Sequence, residues 1–329
     1  MPLGSAWPEA ARSVDELPAP LDEQLSARLE DGESLERLFY VPANPGAPRR
    51  GLWARTRNVQ ALALTDRRVI GMQGDPGAES PWMTLRYDQV LSWSVRQELL
   101  YGLLAITGDA GGELTRRILI EFNTARVEIV TATLVPLEAW VLGIDRRVAI
   151  RPARGGGEAP LVMPAKVYKF YNYLHGAILP GERALRMVFQ ELVAKRVAWL
   201  WRRLVTPGTL LVGTDRRLLV LREQEKLREP RYGYTAFSLP RRWATSLAIR
   251  DEGDWLSLQY APSPAVLDLP VATAHAPALR ALLAALQSGA TDGFGEEALA
   301  QVFWNDVVLD GITGSEGAVP GAAARSNQV

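Results

Sequence analysis

The chain has no cysteine, only two histidines and very few lysines among its 329 residues. Without thiols there can be no disulfide, no thiolate nucleophile and no cysteine-held zinc, and nothing points to an oxidising compartment. His175 and His275 leave little for acid–base or metal chemistry. No Gly-x-Ser-x-Gly elbow is present, and no carboxylate pair stands apart from the acidic loops. The expectation is a non-enzyme with no cofactor and no metal. Long apolar runs are missing too: the best stretch, 197–221, is cut by Arg202, Arg203, Asp215, Arg216 and Arg217, so no span of a bilayer is expected. The first residues show neither the basic nor the apolar region of a secretory leader. These absences together read as a cytoplasmic protein.

Net charge is zero, with 37 basic and 37 acidic residues, but the charge is segregated. Residues 1–40 carry nine acids against three arginines, and residues 165–250 carry seventeen Lys or Arg against six acids. Residues 251–329 return to ten acids against two arginines. A basic block of this kind attracts nucleic acid, anionic lipid or an acidic protein surface. The scarcity of lysine and the acidic ends argue against nucleic acid. Apolar residues make up 47% of the chain and charged residues 22%, as in globular proteins with room for two domains.

A stretch of the chain occurs twice. Gly32-Glu33 is followed by Leu64-Thr65-Asp66-Arg67-Arg68-Val69-Ile70, and Gly181-Glu182 by Gly213-Thr214-Asp215-Arg216-Arg217-Leu218-Leu219. The two copies keep one offset of 149 residues across the whole window. An internal repeat at this length means two copies of one folding unit.

Each copy reads as short strands followed by a helix. In the first, strands are expected at 35–41, 59–65, 69–73, 91–95, 103–107 and 117–122, then a helix from Val127 with Pro136 marking a kink or restart. In the second, strands fall at 184–193, 209–213, 217–222, 246–250 and 255–260, and Ala276 to Leu286 closes the unit as a helix. The domain reading is an acidic, loosely ordered arm over 1–27, a first domain over 28–150, a Gly/Pro linker over 151–164 and a second domain over 165–289. An amphipathic helix over 290–310 and a disordered tail over 311–329 complete it. The aromatic segment 167–174 is expected to be a helix that packs one domain against the other.

The two hairpins Ala63–Ile70 and Val212–Val220, with Leu85-Arg86-Tyr87-Asp88-Gln89-Val90-Leu91-Ser92-Trp93 and Leu99-Leu100-Tyr101-Gly102, resemble the bacterial pleckstrin-homology-like (PH-like) domains. The resemblance implies a mainly β (α+β) fold of two such domains. Each would be a bent antiparallel sheet of about seven strands closed by a C-terminal helix. It also directs attention to basic residues between the first two strands, where lipid-binding members of the fold hold anions. Those positions are Arg49, Arg50, Arg55 and Arg57 in the first copy, and Lys195, Arg196, Arg202 and Arg203 in the second, with Trp199 and Trp201 beside them. Thr65, Asp66, Arg67 and Arg68, and their twins Thr214, Asp215, Arg216 and Arg217, read as structural turns whose arginines snorkel on the solvent face. The function expected is a bacterial scaffold that binds a protein partner or itself. The alternative is peripheral attachment to anionic lipid at the inner membrane face through the Arg-rich second domain.

Overall fold

The computed structural model describes residues 7–43, 59–73, 82–109, 115–145, 165–198, 201–223, 233–253 and 255–289. The proposed linker, the 290–310 helix, the tail, Arg49, Arg50, Arg55, Arg57 and Trp199 all lie outside them.

The protein is mainly β, built from antiparallel sheets. A five-stranded sheet runs in the order β1 (Glu9–Ala11), β2 (Leu35–Val41), β3 (Gln60–Thr65), β4 (Arg68–Gln73) and β5 (Trp82–Arg86). Three strands of the first repeat follow, β6 (Val90–Glu98), β7 (Tyr101–Asp109) and β8 (Thr115–Phe122). The second repeat supplies β9 (Ala184–Gln190), the hairpin β10 (Val193–Ala198) and β11 (Trp201–Thr206), then β12 (Thr209–Thr214), β13 (Arg217–Glu223) and β14 (Gly233–Pro240). Strands β15 (Leu247–Asp251), β16 (Trp255–Tyr260) and β17 (Asp268–Ala272) form a separate three-stranded sheet. The helices are α1 (Leu21–Ser26), α2 (Val127–Leu142), α3 (Ala165–Ala177) and α4 (Ala276–Gln287). Among the described residues no helix is long and apolar enough to cross a membrane.

Strands β3 and β12 are buried at every residue, because both faces of each are covered. On the inner face Leu62 and Leu64 join a core with Phe39, Val69, Trp93, Ile106, Ile120 and, from α2, Val130 and Leu137. On the outer face Ala61 and Ala63 pack with Leu21, Leu25, Leu38, Ile70 and Met72. The second repeat keeps this plan at the same offset. Leu211 and Leu218 face Leu279, Leu282 and Leu286 of α4, while Leu210, Val212, Met187, Leu219 and Leu221 pack beneath Phe170 and Leu174.

Two sequence expectations are corrected by these outer layers. Residues 7–27 are not a loose arm: β1 pairs with β2, and Leu17, Leu21 and Leu25 are buried. Proline and acids dominate the composition there, but leucines at four-residue spacing cover one face of a sheet. The aromatic segment 167–174 is the counterpart of α1 rather than a bridge, since Phe170 and Leu174 stand 149 residues after Leu21 and Leu25. Pro136 does not restart α2, which runs on to Leu142 and ends at Gly143 with φ 66°.

The repeats are also not two closed units on a linker. The seven-stranded sheet has the order β8-β7-β6-β14-β13-β12-β9, so β14 of the second repeat pairs directly with β6 of the first. The register runs from Gly233 opposite Glu98 to Ser238 opposite Trp93. Directly opposed residues share a face. Val95 belongs to the inner core of the first repeat, and its partner Ala236 packs on the outer core of the second. The five-stranded and three-stranded sheets therefore lie on opposite faces of the central sheet. Leu91 of the first repeat is even part of the second repeat's core.

Further contacts tighten this junction. The Arg242 guanidinium donates to the carbonyls of Val141, Tyr87 and Val90, and the Trp243 indole N–H donates to Val90 O at 3.0 Å. Arg242 thus caps the C-terminal end of α2, where carbonyls lack partners within the helix. A protease recognition sequence placed within 151–160 should accordingly yield, after cleavage, two fragments that still co-elute in gel filtration and separate only in denaturant. Elution as two independent globules would refute the shared sheet as a stabilising junction.

Candidate functional site

The repeated motif forms a closed polar lock, and the lock is the same in both copies. Gly32 and Gly181 adopt φ of 72° and 70°, a left-handed turn that favours glycine and brings the next residue, a glutamate, back toward the sheet. Thr65 Oγ1 donates to Glu33 Oε1 at 2.6 Å and accepts from the amides of Arg67 and Arg68. Thr214 does the same with Glu182, Arg216 and Arg217. Asp66 Oδ1 accepts from Ser34 N, and Asp215 Oδ1 from Arg183 N, each at 3.0 Å. The second arginine then grips the glutamate with two nitrogens: Arg68 on Glu33 at 2.8 and 2.6 Å, and Arg217 on Glu182 at 2.9 and 3.0 Å. Each also donates to a carbonyl before the strand, that of Arg28 or Ala177.

Arg67 is an exposed residue of the turn, as the sequence suggested, but Arg68 and Arg217 do not snorkel. The Arg68 side chain is 15% exposed and that of Arg217 only 1%. The two differ in their remaining partner. Arg68 reaches the solvent-exposed Glu30 at 2.9 Å. Arg217 instead donates to Glu138 on α2 at 2.9 Å and to Ser238 at 3.1 Å, and lies over the Trp93 ring. The second lock is therefore part of the junction between repeats. Burial alone would lower the Arg217 guanidinium pKa, but Glu182 and Glu138 raise it, and Arg217 in turn holds Glu182 below the carboxylate range despite burial. Burial pushes Glu33 up as well, yet hydrogen bonds from Arg68, the Glu30 amide and Thr65 outweigh it and bring its pKa down to about 2.

The basic positions are dispersed. Register places Lys195 opposite Arg203 and Arg196 opposite Arg202 in the β10–β11 hairpin, with Trp201 opposite Ala198. Arg216 and Arg217 sit at the other end of β12 and β13, in the turn that joins them. Arg241 donates to the Leu286 and Asp215 carbonyls, and burial lowers the Arg222 and Arg242 pKa values. Several described arginines of the positive block, Arg217, Arg241 and Arg242, are thus spent on internal acceptors.

Two features escaped the sequence reading. The first is a half-open groove of about 460 Å³ between β1–β2 and the start of α2, lined by Ala10, Ala11, Arg12, Leu35, Arg37, Leu38, Glu128, Ile129, Ala132 and Thr133 among others. Among the described residues its wall β1 pairs on one side only, as the end strand of its sheet. The Tyr40 hydroxyl anchors that wall on Glu9 at 2.6 Å, a bond that with burial raises the phenol to about 12. With 1–27 read as an arm, no signal marked this groove. The second is the β6–β7 turn, where Leu99 and Leu100 are 75% and 57% exposed and Leu99 has φ 43°. Adjacent leucines between charged strands were the available signal.

His275 lies in a turn before α4, where burial lowers its pKa. Among the described residues no group of three His, Asp or Glu is placed to hold a metal. No protein-family model matches the chain, and no curated protein is similar to it.

The locks generate two expectations. Arg217→Met strands two buried carboxylates, Glu182 and Glu138, so it should cost about 3–5 kcal/mol in urea unfolding. Arg68→Met, whose outer partner is solvated, should cost clearly less; equal losses would contradict the junction role. Glu33 has a folded pKa of about 2 against an ordinary 4.5. Its contribution is therefore full above pH 4.5 and is lost as pH falls toward 2. Glu33→Gln should flatten that acid limb of the stability profile, and an unchanged limb would count against it.

Proposed function

We propose that the protein is a non-catalytic tandem scaffold of two PH-like repeats that captures an extended segment of a protein partner along β1. The PH-like reading is supported by the order of elements, β2–β5, β6–β8 and then α2 in the first repeat, and β9, β12–β14, β15–β17 and then α4 in the second, where the β10–β11 hairpin stands between β9 and β12. A cysteine-free chain fits action in the bacterial cytoplasm.

One observation carries the binding reading: the groove runs beside a strand that, among the described residues, pairs on a single side. A partner strand added there gains main-chain hydrogen bonds, and its alternate side chains enter the space against α2. Ile129 and Ala132 offer apolar contact, while Arg12, Arg37 and Glu128 at the margin select for charge. A second copy of the chain is one such partner, and self-association would use the same edge.

Ala132 is exposed on α2 and lines the groove, so Ala132→Trp should fill it with little effect on folding. Proteins retained from native lysate by the immobilised full chain should be lost with this variant. A purified partner should bind at least about tenfold more weakly. Equal retention by both proteins, at equal thermal stability, would reject the groove as the binding site.

A further inference from the structure

We propose that the arginine-rich end of the second repeat, around the β12–β13 turn and the last turn of α4, is the docking surface for the chain's own acidic segment 290–310. The segment acts there as a tethered competitor of acidic peptides. This surface is separate from the groove along β1 and does not rest on the scaffold reading.

One residue gathers the guanidinium groups. Asp215 Oδ1 accepts from Arg183 N at 3.0 Å, the Asp215 carbonyl accepts from Arg241 Nη1 at 3.1 Å, and Arg216 Nε stands 4.0 Å from Asp215 Oδ1. On the neighbouring strand Arg186 pairs with Gly213, whose Cα side lies against Leu282 and Leu286 of α4. Opposed residues share a face, so Arg186 joins the others on the α4 side, beside the turn.

Positive charge is in excess at this end. Arg183 and Arg186 are exposed. Arg241 donates to the carbonyls of Leu286, Asp215 and Ala285, which carry no net charge. Beneath them Arg217 is shared by Glu182 and Glu138. These named groups amount to five guanidinium ions against three carboxylates. The Arg216 Nε is buried and has no hydrogen-bond acceptor among the described residues. A part-buried cation so placed gains from a carboxylate brought to its guanidinium.

The chain itself delivers carboxylates to this place. It leaves α4 through Gly289, at φ 75°, where a side-chain carbon would stand 3.9 Å from Arg241 Nη2. Residues 290–310 then carry Asp292, Glu296, Glu297, Asp306 and Asp310 and no basic residue. From Gly289 an extended chain brings Asp292 within about 10 Å and Glu297 within about 30 Å, so no long excursion is needed. A tether this short sets an effective concentration in the millimolar range. A second copy would have to displace a segment already held at that concentration, which favours docking within one chain.

The absence of cysteine permits a single nitroxide label on the full chain, through Ala300→Cys. Its spectrum should show an immobilised label at low salt, at every protein concentration, and a mobile one at high salt. Arg183→Gln with Arg186→Gln should release the label without lowering the melting temperature, since both residues are exposed. Asp292→Asn with Glu296→Gln and Glu297→Gln should release it too, and the same tail variant should bind a decaglutamate peptide at least about tenfold more tightly than the unaltered chain. Ala132→Trp should change neither reading, which separates this surface from the groove. A label mobile at low salt, or one that stays immobilised in the arginine variant, would overturn the proposal. Immobilisation that appears only as protein concentration rises would assign the segment to a second copy instead, and equal decaglutamate affinity of the tail variant and the unaltered chain would reject the competitor role.

Discussion

A single buried guanidinium, Arg217, holds the architecture together. It satisfies Glu182 in its own repeat and Glu138 in the other, at 2.9 Å each, in a place water does not reach. An isolated charge there would be prohibitive, and even one carboxylate would leave donors over. Glu182, Glu138, Ser238 and the Ala177 carbonyl together take up the side chain's hydrogen bonds. The first repeat has the same lock without the same burden, because Arg68 ends on a solvated Glu30. One duplicated device thus serves as a strand clasp in one half and as both clasp and junction in the other.

The junction inverts the faces of the sheet, and this inversion explains why the repeats are not interchangeable. The first repeat must offer β6 as an open edge, and the second must offer β14. The second repeat also supplies Arg242 and Trp243 as clamps. In the first repeat the residues after β5 are Tyr87 and Asp88, and Asp88 pairs with Arg86. The segregated charge of the sequence has the same origin. Arg217, Arg241 and Arg242 make the second repeat look basic, yet their partners are carbonyls and buried carboxylates. The sequence charge overstates the surface charge.

Local features were legible in the sequence and non-local ones were not. The hairpins around Asp66-Arg67 and Asp215-Arg216 and the closing helices follow from short-range pattern, and the strands Leu35–Val41 and Trp255–Tyr260 appear where alternation and turn residues predict them. Strand β14 was missed because Gly233–Pro240 carries few branched residues and owes its form to β6 and β13. The role of α1 was hidden in six residues, too short to stand alone. The arginine of the lock was misread because a turn arginine is ordinarily solvated. Only the pairing of Gly32-Glu33 with Thr65 and Arg68 in three dimensions shows why the two fragments recur together.

The separation of β6 from β14 along the chain has a consequence for how the molecule is made. Each lock draws on residues about forty apart, so the first can close as soon as β4 has left the ribosome. Strand β6, with Trp93 and Val95 along it, must wait for β14, which is synthesised more than a hundred residues later. At ordinary elongation rates that is on the order of ten seconds. During this interval every nascent chain presents an open strand edge to its neighbours on the same messenger, a template for wrong pairing. Slow synthesis of the second half would therefore be harmful to yield in a way that the stability of the finished protein does not reveal.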